Sequence, residues 1–508
     1  MKYYPTIGLE VHAELKTATK MFCGCKNDPL EQHPNINVCP VCLGHPGTLP
    51  TINKKALEYM FQIGLAIGGK INSDFKFDRK NYFYPDLPKG YQISQLDMPV
   101  VIGGNMDISA RLGEARSVKI NRVHLEEDAG KLVHFDGGPS TDSTGSPQAS
   151  SLAGQAGQQA TLVDFNRGGV PLMELVSEPD MHSAKEAVAF AKELQLILRY
   201  LGVSDADLEH GQMRADANIS ISKDASLGTK VEIKNLNSFS AIEEAVNYEI
   251  KRQGELLDSG EKVKQETRGW DDLKKKTISQ RSKEEAFDYR YFPDPDLPPL
   301  DQSAFDMKGL ELAIPELPGQ KRKRFKEQFQ LADDQVNYLV EDRVEAKFFE
   351  EAISEWEAET KVESEKSKVE RVQLLFNYLN SDLKGLMKLK EITFSDLKIN
   401  PENFADLMDM IYKNEISSRT AKDLLARMAD LGIDPRDIVK QEGLGQVSGE
   451  GDLLETVRAI LRDNPKAVED YKKGKSNALQ FMVGKAMAAL KGRGNPGVLQ
   501  ELFKKELQ

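Results

Sequence analysis

Three short stretches of the chain alternate apolar with polar or charged residues at every second position. They run from Gly8 to Glu14, from Arg214 to Ile219 and from Lys230 to Lys234. Because successive side chains of a β-strand point to opposite faces, the pattern predicts three strands with one apolar and one polar side. In a shared sheet, their polar sides would gather carboxylates, an imidazole and cations, which are groups that bind divalent metals and phosphate.

The polar positions of these stretches carry an unusual choice of residues. An exposed antiparallel strand is polar on its outer face in any case, and each stretch alone fits that simpler interpretation. Solvated strands favour Thr, Lys and Ser, whereas here carboxylates recur together with His12 and Asn218. Taken together, the three stretches favour a metal- and phosphate-binding site.

The chain has four cysteines, and they form two closely spaced pairs. These are Cys23, Cys25, Cys39 and Cys42. Paired cysteines at this spacing favour one tetrahedral zinc over disulfides, and unrelated free thiols are the alternative. A site closed by four thiolates has no open coordination position, so we expect a structural zinc.

Two cations and several aromatic residues lie close together between Phe77 and Asp86. Arg79 and Lys80 are suited to clamping phosphate oxygens, and Tyr82 is suited to stacking on a base or ribose. Each could also belong to an exposed turn. The segment is a candidate contact for ATP.

Amphipathic helices are predicted beside these strands. The first covers Lys54–Ile67, the second begins with a capping box at Ser183 and ends at Gly202, and the third begins at Ser240. Strands precede and separate these helices, which predicts an α+β catalytic domain.

At 508 residues the chain is too long for one hydrophobic core. Four prolines between Pro293 and Pro299 interrupt regular structure, and a second break follows at Asn400 and Pro401. Between and beyond these breaks the composition is helical. We predict a catalytic domain at 1–296, a helical connector at 297–400 and a small helical tail at 401–508.

Charge and hydropathy restrict the class of protein. No stretch approaches the roughly 18 apolar residues of a membrane span, and the first residues lead into a strand without a signal-like segment. We therefore expect a cytoplasmic protein without membrane contact. A net charge of -12 argues against a protein that coats nucleic acid non-specifically, so any RNA contact should be confined to a local patch.

Basic residues in the tail are the candidates for such a patch. At helix ends and glycine turns they can hold the phosphates of a folded RNA, although a solvated surface helix is an equal alternative. The candidates are Lys472, Lys473, Lys475, Lys485, Lys491 and Arg493.

Eight longer motifs, in order along the chain, resemble the B-subunit family of aspartyl/glutamyl-tRNA amidotransferases. The helical remainder resembles the YqeY-like tail of that family. The motifs are Ile7–Leu15, Phe77–Pro85, Tyr91–Gln95, Leu125–Lys131, Leu175–Asp180, Asp216–Ser220, Glu232–Phe239 and Asp288–Pro295.

The resemblance implies an α+β cradle domain with a glutamine-synthetase-like antiparallel sheet, an all-α domain and a tail that binds tRNA. It also implies partners: an amidase (glutaminase) chain that frees ammonia from glutamine, a small third chain of the same complex, and tRNA, with the non-discriminating synthetase as a further candidate. Members of this family use ATP and Mg2+ to phosphorylate the side-chain carboxylate of misacylated Glu-tRNA(Gln) or Asp-tRNA(Asn). Ammonia then displaces phosphate.

The resemblance also implies roles for single residues. Lys80 and Arg79 would neutralise phosphate, and Glu10 would be a second-metal ligand or the base that deprotonates ammonium. Nucleotide contacts are expected at Lys80, Tyr82, Lys234 and Asn235. Magnesium ligands are expected at His12, Glu127, Asp216 and Glu232, and weaker candidates at Glu126, Glu174 and Glu209.

The chain departs from the family pattern at one point near the expected metal. Glu209-His210-Gly211 stands where the family often has Glu-Glu-Gly, which weakens the assignment of a role to the second position. The four cysteines are not present in every member of the family, in keeping with a structural zinc.

Two other functions remain open at the level of the sequence. The first is an RNA-binding scaffold built from the zinc knuckle and the basic tail, and the second is a metal-dependent hydrolase in which Glu10 and His12 activate water. The chain has no Gly-x-Ser-x-Gly elbow and no Cys-His nucleophile signature. Glutaminase chemistry must therefore come from another chain.

Overall fold

The three alternating stretches form neighbouring strands, as predicted. The computed structural model describes residues 3–135, 160–224, 226–282, 286–359, 364–444, 450–475, 477–490 and 494–507. The strands are β1 (Tyr4–Glu14), β2 (Lys70–Ile71), β3 (Asp74–Phe75), β4 (Asp78–Asn81), β5 (Tyr91–Ser94), β6 (Val101–Ile102), β7 (Asn105–Asp107), β8 (Ser117–Glu127), β9 (Lys131–Phe135), β10 (Ala160–Asp164), β11 (Pro171–Ser177), β12 (Met213–Ser222), β13 (Val231–Leu236), β14 (Glu266–Asp271), β15 (Lys276–Ser282), β16 (Phe292–Pro293) and β17 (Leu300–Asp301).

Within the described ranges, ten of these strands form one mixed sheet. Their order is β15-β14-β13-β12-β1-β11-β8-β6-β2, with β7 paired to β8. Strand β1 pairs antiparallel with β12 on one side and with β11 on the other, so His12 lies opposite both Arg214 and Glu174. Glu10 lies opposite Asp216 in the same ladder. The register thus brings polar residues of distant sequence segments onto one face.

The other face of the sheet packs on helices. Leu9, Val11 and Ala13 are buried and share one hydrophobic core with the helices that follow. Burying a Val or Leu side chain contributes about 1.5–3 kcal/mol, so the alternation fixes which face of β1 is turned away from solvent. These helices are α1 (Lys54–Ala66), α2 (Ser109–Leu112), α3 (Ala184–Leu201), α4 (Phe239–Asp258) and α5 (Met307–Leu312). The next helix along the chain, α6 (Pro318–Phe329), is not part of this core.

The helix predictions are confirmed with one correction. Helix α1 begins and ends within one residue of the prediction. The Ser183 hydroxyl accepts a hydrogen bond from the Glu186 N–H, and α3 ends at Gly202 in the left-handed region. The N-cap of helix α4 lies two residues earlier than predicted, because the Ser238 side chain, not that of Ser240, accepts from the Ala241 N–H.

A smaller sheet of three strands carries the predicted phosphate clamp. Strand β4 pairs with β5 on one side and with β16 on the other. Two further two-stranded sheets join β9 to β10 and β3 to β17. Side chains alternate along β4, so Arg79 and Lys80 leave it on opposite faces.

The chain divides into two compact units, Met1–Lys321 and Arg322–Gln508. No helix in the described ranges is long and apolar enough to span a membrane. The remaining helices are α7 (Asp333–Val340), α8 (Arg343–Glu359), α9 (Glu365–Asn377), α10 (Lys384–Lys390), α11 (Pro401–Tyr412), α12 (Ser418–Leu431), α13 (Pro435–Glu442), α14 (Glu450–Asp463), α15 (Pro465–Lys472), α16 (Asn477–Ala489) and α17 (Pro496–Leu507).

Contacts in the second unit run across the predicted boundary at residue 400. The rings of Phe348 on α8 and Phe404 on α11 are 5.6 Å apart. The Trp356 Nε1–H donates to Asp409 at 3.0 Å. Helices α14 to α17 share a separate hydrophobic cluster that includes Val457. The three-domain division remains a prediction.

Candidate active site

A histidine and two glutamates from three neighbouring strands meet on the polar face of the large sheet. His12 lies on β1, Glu174 on β11 and Glu126 on β8, and one ligand atom of each lies within 4.8 Å of the others. The His12 Nε2 is 3.2 Å from the Glu174 Oε2 and 3.8 Å from the Glu126 Oε1. We call this group the histidine triad. One nitrogen and two carboxylates at this spacing can hold a divalent cation.

The electrostatics of the histidine triad favour an ionised Glu174. Burial raises the pKa of Glu174, but the nearby His124 and His12 imidazoles outweigh it and hold the pKa well below its usual range. Burial lowers the pKa of His12. The Glu174 carboxylate, and then Glu126, raise this pKa by more than burial lowers it, so the net shift is upward. The triad therefore presents negative charge at neutral pH.

Glu127, an expected magnesium ligand, lies outside this group, and its role as a ligand stays a prediction. Its carboxylate pairs with the Lys89 ammonium and accepts from the Ile93 N–H at 2.9 Å. Side chains alternate along β8, so Glu126 lies on the polar face and Glu127 on the opposite one.

Asp216 and Glu232 form a second cluster on the same sheet, apart from the histidine triad. The Lys234 Nζ lies 2.7 Å from the Asp216 Oδ2 and 3.1 Å from the Glu232 Oε1. Although burial lowers the pKa of Lys234, these two acids raise it overall. Glu10 accepts from the Asn218 Nδ2 at 2.8 Å beside them. We call Asp216, Glu232 and Lys234 the lysine cluster. Its side-chain ammonium lies where a metal ion was expected.

Lys80 faces the histidine triad from β4. Burial lowers the pKa of Lys80, but nearby groups, with the Glu126 carboxylate first among them, raise this pKa by more, so the ammonium stays charged. The Lys80 Nζ lies 5.1 Å from the centroid of the Tyr289 ring and 5.9 Å from that of Tyr82. The Tyr82 hydroxyl donates to the Gln92 Oε1 at 3.1 Å. A cation and aromatic rings thus border the triad, as a phosphate-binding site requires.

Arg79 is held in a different environment from Lys80. Its guanidinium donates to Asp294 at 2.9 Å and to Asp296 at 2.8 Å, and it stacks 4.3 Å from the centroid of the Tyr91 ring. These contacts pin β4 to the proline-rich segment. Arg79 thus forms an ion pair that holds the fold, and its expected phosphate contact stays a prediction.

Two further candidates lie outside both groups. Asn235 has a φ of 68° at an irregularity in the β12–β13 pairing, and its side chain is exposed. Glu209 is also exposed, and the Asp207 carboxylate caps the turn that carries it. Neither residue is brought to the histidine triad.

The four cysteine sulfurs form a second group able to hold a metal. One ligand atom of each lies within 4.8 Å of the others. The Cys39 and Cys42 sulfurs are 3.9 Å apart. A hydrogen bond from the Cys23 thiol, helped by the Lys20 ammonium, lowers the pKa of Cys42 to about 5. A thiolate in such a group is a metal ligand.

The predicted RNA patch is partly described by the structure. Lys473 pairs with Glu469 at 3.3 Å and Lys475 with Asp470 at 3.0 Å. Lys472 and Lys485 are exposed, and the Lys485 Nζ lies 5.7 Å from the Phe481 ring. Lys491 and Arg493 lie outside the described residues. RNA contact at these residues remains a prediction.

Comparison with known proteins gives matches over nearly the whole chain. A family model described as "GatB/GatE catalytic domain" matches residues 5–306, and one described as "GatB domain" matches residues 360–507. Curated relatives named as the B-subunit of aspartyl/glutamyl-tRNA(Asn/Gln) amidotransferase are similar throughout. That of Dehalococcoides mccartyi is 43% identical over 100% of this chain and 99% of its own length. The B-subunit of Brevibacillus brevis is 42% identical, also over 100% of this chain and 99% of its own length.

Proposed function

This chain belongs to the B-subunit family of aspartyl/glutamyl-tRNA(Asn/Gln) amidotransferases, and we propose that its polar sheet face activates a side-chain carboxylate with ATP. As one chain of a tRNA-dependent amidotransferase, it acts in the transamidation of misacylated tRNA. The substrates are Glu-tRNA(Gln), Asp-tRNA(Asn) or both. The observation that carries the proposal is the meeting of His12, Glu126 and Glu174 beside the Lys80 ammonium.

The chemistry explains why ATP is needed. A carboxylate is a poor electrophile because its oxygen is a poor leaving group. One oxygen of the Glu or Asp side chain on the tRNA attacks the γ-phosphorus of ATP, and ADP leaves. Ammonia then attacks the carbonyl carbon of this acyl phosphate, inorganic phosphate leaves and a base takes the extra proton. The products are ADP, phosphate and the amide.

The histidine triad fits the Mg2+ that this reaction requires. Its two carboxylates are buried, Glu174 is held ionised, and both lie close to the His12 nitrogen. Bound there, Mg2+ would draw charge from the transferring phosphoryl group. His12, Glu126 and Glu174 would hold the cation.

Other residues of the face have proposed roles that follow from their positions. Lys80 neutralises phosphate oxygens, and the Tyr82 and Tyr289 rings around it exclude water. Glu10, held by the Asn218 amide, takes a proton from ammonium, so that neutral ammonia can attack. Lys234 neutralises the lysine cluster and is the second cation near the nucleotide.

The proposal extends to metals and partners outside this face. The cysteine group holds a structural zinc. The chain works with an amidase (glutaminase) partner, which supplies ammonia, and with a small third chain, and its helical tail binds tRNA. We also propose that the large sheet has the glutamine-synthetase-like fold. Cytoplasmic location stays a prediction.

Co-expression of the three chains of the complex tests this function. Glu-tRNA(Gln) and Asp-tRNA(Asn) are supplied, and amide formation is measured with ATP present or withheld. We expect ATP-dependent amide formation that is lost in His12→Ala while tRNA binding is retained. Full activity in His12→Ala would refute the placement. Turnover without ATP would instead support a hydrolase, and absence of tRNA-dependent ATP hydrolysis would support an RNA-binding scaffold.

A further inference from the structure

A second histidine stands behind the histidine triad on strand β8. His124 is 3% exposed, and its Nε2 lies 3.1 Å from the Glu174 Oε2 and 3.9 Å from the Glu126 Oε2. In the β8–β11 ladder it lies directly opposite Glu174. It therefore shares the polar face with both carboxylates that we propose as metal ligands.

Glu174 is consequently held between two imidazoles on its two neighbouring strands. The His12 Nε2 approaches the Glu174 Oε2 from β1 at 3.2 Å, and the His124 Nε2 approaches the same oxygen from β8. Of these two histidines, His12 alone joins the two carboxylates in a group compact enough to share one cation. His124 thus contacts a ligand of the proposed metal without belonging to the ligand set.

The other nitrogen of His124 indicates which atom carries its proton. The His124 Nδ1 is buried and has no hydrogen-bond partner among the described residues. A neutral imidazole has one donor and one acceptor nitrogen, and a buried N–H without an acceptor is rarer than a bare acceptor. The tautomer with its proton on Nε2 therefore fits best, and that N–H donates to Glu174.

Glu126 has a separate support on its far oxygen. The Ser94 hydroxyl, 1% exposed, donates to the Glu126 Oε2 at 3.0 Å. Each carboxylate of the triad is thus oriented by its own buried donor. Such donors fix the orientation of metal ligands, and their loss typically costs 10–100-fold in metal affinity.

We propose that His124 is a positioning residue that orients Glu174 for the divalent cation of the histidine triad. This inference rests on the proposed function, because it takes the triad as the metal site. A leucine at 124 would leave Glu174 free to rotate away from His12. A glutamine would preserve the donor, because its Nε2 reaches nearly the same position as the histidine Nε2, whereas the shorter asparagine would not reach.

Mn2+ binding tests the inference without relying on turnover. The full chain, co-purified with the other chains of its complex, is titrated with Mn2+, and free ion is followed by electron paramagnetic resonance. We expect His124→Leu to weaken Mn2+ binding about 10–100-fold and His124→Gln to stay within about threefold of the parent. His182→Gln is the matched control, because the His182 ring hydrogen-bonds the Pro5 carbonyl at 2.9 Å and lies outside the triad.

The comparison of two polar variants guards against a folding defect in His124→Leu. Weaker Mn2+ binding by His124→Asn than by His124→Gln, at equal thermal stability, supports the inference, and equal binding overturns it. The His12→Ala variant separates a failure of the proposed metal site from a failure of the proposed role of His124. If His12→Ala binds Mn2+ as tightly as the parent, the proposed metal site fails. If His12→Ala loses the ion while His124→Leu and His124→Asn keep it, only the role of His124 fails.

Discussion

Two groups of acids on the same sheet face, the histidine triad and the lysine cluster, are neutralised in different ways. In the lysine cluster, one Lys234 ammonium lies within 3.1 Å of the Asp216 and Glu232 carboxylates, and its permanent charge offsets one of their two charges. In the histidine triad, Glu126 and Glu174 face an imidazole instead. An imidazole supplies at most one positive charge, and its neutral form is a metal ligand.

The difference indicates which group is prepared for an external cation. Buried carboxylates without a fixed counter-charge are costly, so they persist where a ligand supplies the charge. The lysine cluster already contains a fixed cation, Lys234. We therefore expect substitutions in the histidine triad to act on chemistry, and substitutions in the lysine cluster to act largely on stability.

The largest expected effect comes from removing one acid from each group. Glu174→Gln should lower kcat/KM for ATP-dependent amide formation by about 10³-fold, or about 4 kcal/mol, because a metal ligand is lost. Glu232→Gln should cost about tenfold, because Asp216 still pairs with Lys234. The measurement is the initial rate of amide formation at several Mg2+ concentrations. Equal losses in the two variants would remove the distinction between the groups.

The next effect separates two adjacent cations on β4. Lys80→Met should lower kcat about 10²-fold with unchanged thermal stability, since its ammonium neutralises the phosphoryl group in the transition state. Arg79→Met should lower the melting temperature instead, because it breaks the pair with Asp294. Rates and melting curves of both variants are compared. A normal rate in Lys80→Met would contradict its proposed role.

The sequence predicted the strands because alternation depends only on neighbouring residues. It did not predict which glutamate of a consecutive pair faces the site, because the choice between Glu126 and Glu127 depends on register with β11. The same ambiguity affected Arg79 and Lys80. The ion pairs of Lys234 with Asp216 and Glu232 were not predicted, for another reason. The cation that approaches Asp216 is set by the pairing of β12 with β13, which no local pattern records.

A smaller effect tests the lysine cluster itself. Lys234→Met leaves Asp216 and Glu232 close together without their cation, and should lower the free energy of unfolding by about 2 kcal/mol, allowing for partial solvent screening. The unfolding is followed by the fluorescence of Trp270 in a Trp356→Phe background. The vacated acids should also take up one additional Mn2+ per chain. Unchanged stability and unchanged Mn2+ stoichiometry would show that Lys234 does not neutralise this group.

The smallest expected effect uses an acid of the helical unit whose charge is fully compensated. Burial raises the pKa of Asp409, but hydrogen bonds from Lys413 and Trp356 and the Arg436 guanidinium outweigh it and lower the pKa. Since the folded pKa lies below the unfolded value of about 3.9, this group stabilises the native state above that pH. The contribution is lost as pH falls through the folded pKa.

Asp409→Asn should therefore reduce the free energy of unfolding at pH 7 by about 1 kcal/mol and flatten its decline between about pH 4 and pH 2. Trp356 contacts Asp409 directly, so its fluorescence in a Trp270→Phe background reports the transition. Asp430→Asn is the control, because its side chain is 60% exposed and its pair with Lys390 is a surface one. An equally steep decline of the free energy of unfolding with falling pH in the parent and in Asp409→Asn would mean that the charge of Asp409 is not compensated. Neutralisation by fixed cations would then not distinguish the lysine cluster and Asp409 from the histidine triad.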